Sequence, residues 1–156
     1  MSMDFDKPVA EHEWLHKLVG EWTMESKMGE DGCGSGRETV RSVGPMWVQC
    51  TGRAEMPGGG PEGEMVLTIG YDLALKKYVG TWYGSMMSRL WVYDIERQGE
   101  ELVMSSEGPA MEGEGTARYR DVITWKDADT REFAGWVQKP DGTWNRFMHA
   151  TYRRVK

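Results

Sequence analysis

The chain is organised around the stretch VGTWYGSMMSRLWVYDI, residues 79–95. Two strand-like runs flank a short bend, Ser85 to Ser88, and together they carry four large rings: Trp82, Tyr83, Trp91 and Tyr93. Alternation with a period of two is typical of β-strands, so the stretch predicts an antiparallel hairpin. We expect Trp82, Trp91 and Tyr93 on its inner face, where they either fill a core or line a cavity.

The same two-residue period continues from residue 20 to about residue 154. Trp22 and Met24 alternate with Glu21, Thr23 and Glu25, and further strand patterns follow at spacings of roughly ten to fifteen residues. A helical pattern occurs only at about 8–19, which excludes repeated βαβ units. The sequence therefore predicts an all-β fold, a single antiparallel up-and-down β-barrel of 8–10 strands with a short N-terminal helix, in one domain over 1–156.

Composition and charge limit the classes of partner that the protein is expected to bind. The formal net charge is −6 over 156 residues, which argues against binding nucleic acid or an anionic membrane surface. The N-terminus is acidic and polar, and no apolar run reaches the length of a membrane span, so we expect a cytoplasmic protein. The two cysteines, Cys33 and Cys50, form neither a disulfide framework nor a metal motif.

The N-terminal helix has recognisable start and stop signals. Pro8 suits the first helical position, with Asp6 or Lys7 near the cap, and Gly20 ends the helix. His12 and His16 have the i, i+4 spacing that can bind a metal, but no third ligand accompanies them. We therefore expect both histidines on the helix surface and predict no metal site.

The parity of the strand residues predicts which side chains point inward. Trp22, Met24, Leu67, Ile69 and Tyr71 form the inward set of two strands. The run TARYRDVITW, 116–125, allows two alternatives, listed here with the favoured one first: Ala117, Tyr119, Asp121, Ile123 and Trp125, or Arg118, Arg120, Val122 and Thr124. The first set is more apolar, and it would bury Asp121, which would then need a partner.

Arg120 and His149 are the polar candidates for a ligand site. Arg120 is either an exposed residue paired with an aspartate or an inward anchor for an anionic head group, and both alternatives stay open. His149 stands near the end of the last strand, at a position comparable to the iron-ligating histidine of nitrobindins, which are haem-binding barrels. Its direction is also open, because Phe147 and Thr151 share its parity while Met148 and Tyr152 have the other.

Two segments are candidates for the rim of a cavity. Met86 and Met87 at the bend form a soft lip or simply pack. The glycine-rich stretch MPGGGPEGE, 56–64, is a loop that would act as a gate. The sequence carries no recognisable catalytic motif and so does not indicate an enzyme.

The run EHEWLHKLVGEWTMES, 11–26, resembles the start of a calycin-type barrel, in which a short helix leads into a strand with Gly-x-Trp. In lipocalins and fatty-acid-binding proteins that tryptophan closes one end of the barrel under a basic residue from the chain end. The resemblance implies the same arrangement for Trp22 with Arg153 or Arg154. Fatty-acid-binding proteins also hold carboxylates with an Arg-x-Tyr in the last strand. This chain has Ala150-Thr151-Tyr152 there, which argues against carboxylate binding.

The whole chain resembles a bacterial family catalogued as domain of unknown function 1579. The stretches that carry the resemblance run from residue 12 to 154: HEWLHKLVGEWT, MWV with GRAEMPGGGP, TIGYD, YVGTWYGSMMSRLWVY, TARYRDVI and FMHATYRR. The resemblance implies a calycin-like, lipocalin-like barrel and no particular activity.

Three functional hypotheses follow. The first is binding of a small hydrophobic or amphipathic molecule inside the barrel, and its site residues are Trp82, Trp91, Tyr93, Arg120, Met87 and His149. The second is a barrel filled by its own rings that forms a homodimer. The third is a haem protein with His149 as the iron ligand; outside this alternative, no cofactor is predicted.

Overall fold

The computed structural model describes residues 4–28, 32–56 and 58–155. Ten antiparallel strands close into a barrel in which each strand pairs with its neighbours in the chain and the first pairs with the last. They are β1 (Gly20–Met28), β2 (Gly32–Val43), β3 (Trp47–Ala54), β4 (Gly63–Asp72), β5 (Lys77–Gly84), β6 (Trp91–Gln98), β7 (Glu101–Pro109), β8 (Thr116–Asp127), β9 (Thr130–Gln138) and β10 (Trp144–Arg154). The predicted up-and-down barrel is confirmed.

The strand β2 is long and is paired with β1 from Gly32 onward. Gly36 lies where β2 runs against β3, and a Cβ there would collide with the carbonyl oxygen of Arg53. Glycine at this position lets two strands approach closely.

The helix α1 spans Ala10–Leu15 and continues as a 3₁₀ turn over His16–Leu18. It begins later than predicted because His12 caps it: the Val9 N–H donates to His12 Nδ1 at 3.0 Å. His12 Nε2 hydrogen-bonds the Tyr71 carbonyl at 3.0 Å, and the side chain is only 1% exposed. The expected surface position is therefore wrong for His12. No helix in the described part of the chain has the length and apolar character to span a membrane.

The helix closes one end of the barrel. Leu15 and Leu18 are fully buried, and they pack with Trp22, which is 1% exposed. The guanidinium of Arg154 lies 4.3 Å from the Trp22 ring centroid, and it donates to the carbonyls of Val19 and Lys17 at 2.7 and 2.8 Å. The arrangement implied by the calycin resemblance is thus present, with Arg154 in the basic position.

Inner-face side chains near this end form a dense core. These residues are between 0 and 2% exposed: Val40, Val48, Ile69, Ile95, Leu102 and Ile123. Met24 and Leu67 also face inward, and Tyr71 packs against the same core, as predicted. The half of the barrel next to α1 is therefore filled by the chain's own side chains.

A β-bulge in β10 changes the alternation near the other end. The register with β9 shifts between Arg146 and Met148. The ring of Phe147 lies over Gly135, since a Cβ on that glycine would be 2.9 Å from Phe147 Cζ. The bulge therefore adds Phe147 to the inner face beside Met148.

Candidate functional site

The half of the barrel remote from α1 differs from the filled half, and we call it the open half. Several of its inner-face side chains keep solvent-accessible area, although their neighbours on the same strands show that they point inward. They are half-buried: Met65, Trp82, Trp91, Asp121, Phe147 and Met148. Solvent-sized space therefore lies against these side chains, inside the barrel or at its mouth.

Aromatic rings form one wall of the open half. Trp91 and Tyr119 meet edge to face with ring centroids 5.2 Å apart, and Tyr119 meets Phe147 at 6.3 Å. Trp82 lies directly opposite Trp91 in the pairing of β5 with β6. The hydroxyl of Tyr119 donates to the Pro109 carbonyl at 2.5 Å, which fixes its ring. The wall is thus apolar, and its one phenol is already bonded.

Methionines cover the mouth where the strands carry glycine. A Cβ on Gly84 would lie 2.5 Å from Met86 Sδ, and one on Gly63 would lie 2.5 Å from Met56 Sδ. A Cβ on Gly108 would collide with the Trp91 ring. The glycines therefore leave room for side chains that fold over the rim, a role that the sequence did not reveal for Met56.

Met87 lies at the rim beside the ring wall. Its side chain is 46% exposed, and its sulfur accepts a hydrogen bond from Trp91 Nε1 at 3.3 Å. Met86 is 39% exposed on the same bend. Because the thioether side chain is flexible and polarisable, these two residues form an adaptable rim.

Asp121 and Tyr93 form a polar pair in this apolar half. The Tyr93 hydroxyl donates to Asp121 Oδ2 at 2.5 Å, so the predicted partner of the inward aspartate exists. Burial raises the pKa of Asp121 to about 6, while the Tyr93 hydrogen bond acts in the opposite direction. Burial, and then the charge of Asp121, raises the pKa of the Tyr93 phenol well above its usual value.

A second polar network lies beside Trp22. Arg131 is 2% exposed and forms an ion pair with Glu38. Its guanidinium stacks between Trp22 and Tyr152, at 4.6 and 4.0 Å from their ring centroids. Burial, followed by the charge of Glu38, raises the pKa of Tyr152. The sequence did not reveal this network, although Arg131 shares the parity of inward Phe133.

Cys50 is buried beside the Glu38–Arg131 pair. Burial raises the pKa of its thiol well above the usual value, and the Glu38 carboxylate adds to that rise. Because the thiolate is the reactive form, this cysteine is protonated and unreactive at neutral pH.

Arg120 and His149 lie on the outer face. Arg120 is exposed, and its guanidinium stacks 4.2 Å from the ring centroid of Trp144, so the inward alternative for Arg120 is wrong. His149 Nε2 is 3.7 Å from a Glu132 carboxylate oxygen, while the next residue, Ala150, is fully buried. A side chain in this position does not reach a ligand inside the barrel.

No metal cluster is present within residues 4–28, 32–56 and 58–155. No three His, Cys, Asp or Glu side chains in these ranges are arranged to hold an ion. The three predicted rings, by contrast, are brought together: Trp82, Trp91 and Tyr93 share the inner face of the paired strands β5 and β6, and Tyr93 bonds Asp121.

A comparison of the sequence with protein-family models identifies the family of this chain. A family model described as "Protein of unknown function (DUF1579)" matches residues 7–154. The chain belongs to the DUF1579 family. A search of curated proteins gave no significant match. Membership in DUF1579 confirms the resemblance seen in the sequence and brings no activity with it.

Solved structures with similar folds extend the comparison for this DUF1579 chain. Rv2717c from M. tuberculosis has a TM-score of 0.60 at 11% identity, over 96% of this chain and 100% of that chain. The S-type phycobiliprotein lyase CPES from Guillardia theta has a TM-score of 0.56 at 13% identity, over 95% and 94%. The redesigned barrel mFAP1, bound to DFHBI, has 0.50 at 11% identity, over 89% and 96%. At these identities the likeness shows a common fold.

Proposed function

We propose that the chain binds a small apolar or amphipathic molecule in the open half of its barrel. The observation that carries the proposal is the contrast in packing along the barrel. Inner-face residues next to α1, such as Ile95 and Leu102, are at most 1% exposed, whereas several inner-face residues of the open half, among them Trp82 and Trp91, remain half-buried. Ligand sites in small barrels lie at such incompletely filled mouths.

The residues around this space suit an apolar guest. Trp82, Trp91 and Tyr93 provide rigid walls, and Met87 provides a rim that can adjust to the guest. A guest that buries about 200 Å² of apolar area gains on the order of 5 kcal/mol from desolvation, before the entropic cost of association. The predicted loop over 56–64 ends earlier in the structure, because β4 already begins at Gly63, and in this proposal the part of the loop that precedes β4 gates the mouth.

The fold comparisons support the same reading. The redesigned barrel mFAP1 is named with a small molecule, DFHBI, bound to it. The named activity of CPES is that of a phycobiliprotein lyase. Neither DFHBI nor the lyase activity is proposed for this chain. The support for the proposal is the apolar lining of the open half.

A matched pair of variants on β7 tests the proposal. Ser106 has the inward parity of Met104, and its neighbour Ser105 faces outward. Ser106→Phe should fill the open half, and Ser105→Phe should leave it unchanged. The probe is N-phenyl-1-naphthylamine, an uncharged dye that fluoresces in apolar sites, and circular dichroism shows whether each variant is folded.

The expected result is saturable dye binding by the wild type that competing decanol reverses. Ser106→Phe should weaken binding at least tenfold, and Ser105→Phe should leave the dissociation constant within twofold. Equal effects of the two variants, or no saturable binding by a folded wild type, would overturn the proposal.

A further inference from the structure

Asp121 offers an unused acceptor in the open half. Tyr93 has one O–H, and that group bonds Asp121 Oδ2. Within the described residues no donor hydrogen-bonds Oδ1, and this oxygen is not among the polar atoms sealed off from solvent. Oδ1 therefore faces the accessible space.

Among the described residues, no positive charge contributes to the pKa shift of Asp121. Its partners across the two neighbouring strands are Met104 and Gly135, and its inward neighbours on β8 are Tyr119 and Ile123. Tyr93 and Tyr119 are the titratable side chains of the described residues that face it, and both have a raised pKa. A carboxylate without a cation in an apolar setting is costly.

The nearest buried cation is not available to a ligand. Arg131 is paired with Glu38, is 2% exposed and lies against two rings, and every other arginine or lysine of the described residues is exposed or only half-buried. A guest with a carboxylate would therefore bring a second negative charge to Asp121 without a compensating donor. A guest with an N–H donor would instead satisfy Oδ1 with a charge-assisted hydrogen bond.

We infer that the bound molecule is an apolar amine, or another apolar molecule with a strong N–H donor, whose polar end binds Asp121 Oδ1 beside Tyr93. This inference rests on the proposed function and adds the chemical class of the guest. The ring wall and the methionine rim receive the apolar part. At pH 7.5 Asp121 is mostly ionised, so a protonated amine is the complementary group.

Three ligands with the same chain length test the inference: decylamine, decanol and decanoate, each below its critical micelle concentration. Their dissociation constants are measured at pH 7.5 by displacement of N-phenyl-1-naphthylamine. We expect decylamine to bind at least tenfold tighter than decanol, and decanoate to bind weakest. Asp121→Asn keeps an acceptor for Tyr93 and should remove the preference for the amine, so that decylamine and decanol bind with similar affinity.

Asp94→Asn is the matched control. Asp94 is an exposed residue of β6 whose carboxylate pairs with Lys77 at 2.5 Å, so its loss changes the net charge equally without touching the lumen. An equal loss of amine preference in both variants would indicate general charge attraction and overturn the inference. Decanol binding without amine preference would overturn the inference alone, whereas no binding of any of the three ligands would overturn the proposed function.

Discussion

Arg131 and Glu38 form an ion pair inside the barrel although 93 residues separate them in the chain. The ring centroids of Trp22 and Tyr152 lie 4.6 and 4.0 Å from the guanidinium. Arginine cannot lose its proton at any ordinary pH, so the charge of Arg131 persists whether or not its partner is present. The carboxylate of Glu38 is therefore required to compensate a charge that the fold has buried.

Removal of this carboxylate should destabilise the protein strongly. Glu38→Gln leaves a buried charge without its counterion, and we expect a loss of about 3 kcal/mol in the free energy of unfolding. Urea titration at pH 7 measures this change. Glu25→Gln is the control, because Glu25 and Arg153 are exposed and 3.8 Å apart, and we expect a loss of at most about 0.5 kcal/mol.

The double variant Glu38→Leu/Arg131→Met tests whether the loss of stability in Glu38→Gln comes from the unpaired charge of Arg131. Apolar replacement of both partners removes the desolvation cost as well as the attraction, so most of the lost stability should return. A double variant that is as unstable as Glu38→Gln would contradict the assignment of the loss to an uncompensated charge.

The fold follows from patterns that are local in the sequence. Alternation of apolar and polar residues, turn residues between the runs and one short amphipathic segment are sufficient for a barrel with a helix at its end. The pairing of Trp22 with a basic residue was expected from the resemblance, but the choice between Arg153 and Arg154 was not. Arg154 has the inward parity of Tyr152 and reaches the carbonyls at the helix end.

The site was only partly predictable, for two physical reasons. Parity placed Trp82, Trp91 and Asp121 correctly, because the strand pairing around these residues is regular. It failed in β10, where Phe147 and His149 have the same parity but lie on opposite faces, since the bulge between Arg146 and Met148 shifts the alternation. The second reason is distance in the chain: the partner of Arg131 lies on β2, and no local pattern connects them.

A substitution at Gly108 tests whether the position of the Trp91 ring requires the absence of a side chain there. A Cβ at this position would meet the indole, so Gly108→Ala should displace the ring and destabilise the protein by about 1–3 kcal/mol. Gly52→Ala is the control, because the nearest atom to its Cβ would be an acceptable 3.7 Å away. We expect this control to change stability by less than about 1 kcal/mol.

The readouts for the Gly108 variant are urea unfolding and dye binding. Displacement of Trp91 changes the wall of the open half, so the affinity for N-phenyl-1-naphthylamine should fall together with stability. An unchanged affinity in a destabilised Gly108→Ala protein would show that Trp91 does not line the site.

The raised pKa of Asp121 makes stability depend on pH. Between its ordinary value of 3.8 and about 6, the folded state holds a proton that the unfolded state has released. Unfolding free energy therefore falls as pH rises through this window, by on the order of 2–3 kcal/mol from this one group, and stays lower above it. The Asp121→Asn variant has no titrating carboxyl at this position, so its unfolding free energy lacks this dependence on pH.

The difference in unfolding free energy between Asp121→Asn and the wild type isolates this group from all other titrations. We expect the difference to favour the variant increasingly from pH 4 to pH 6.5 and to remain constant up to pH 8, as measured by urea unfolding at each pH. Asp94→Asn, at an exposed position, should give a difference that is nearly independent of pH above 5. A constant difference for Asp121→Asn across the whole range would mean that its carboxylate is solvated in the folded protein, and the unused acceptor in the lumen would then need no ligand.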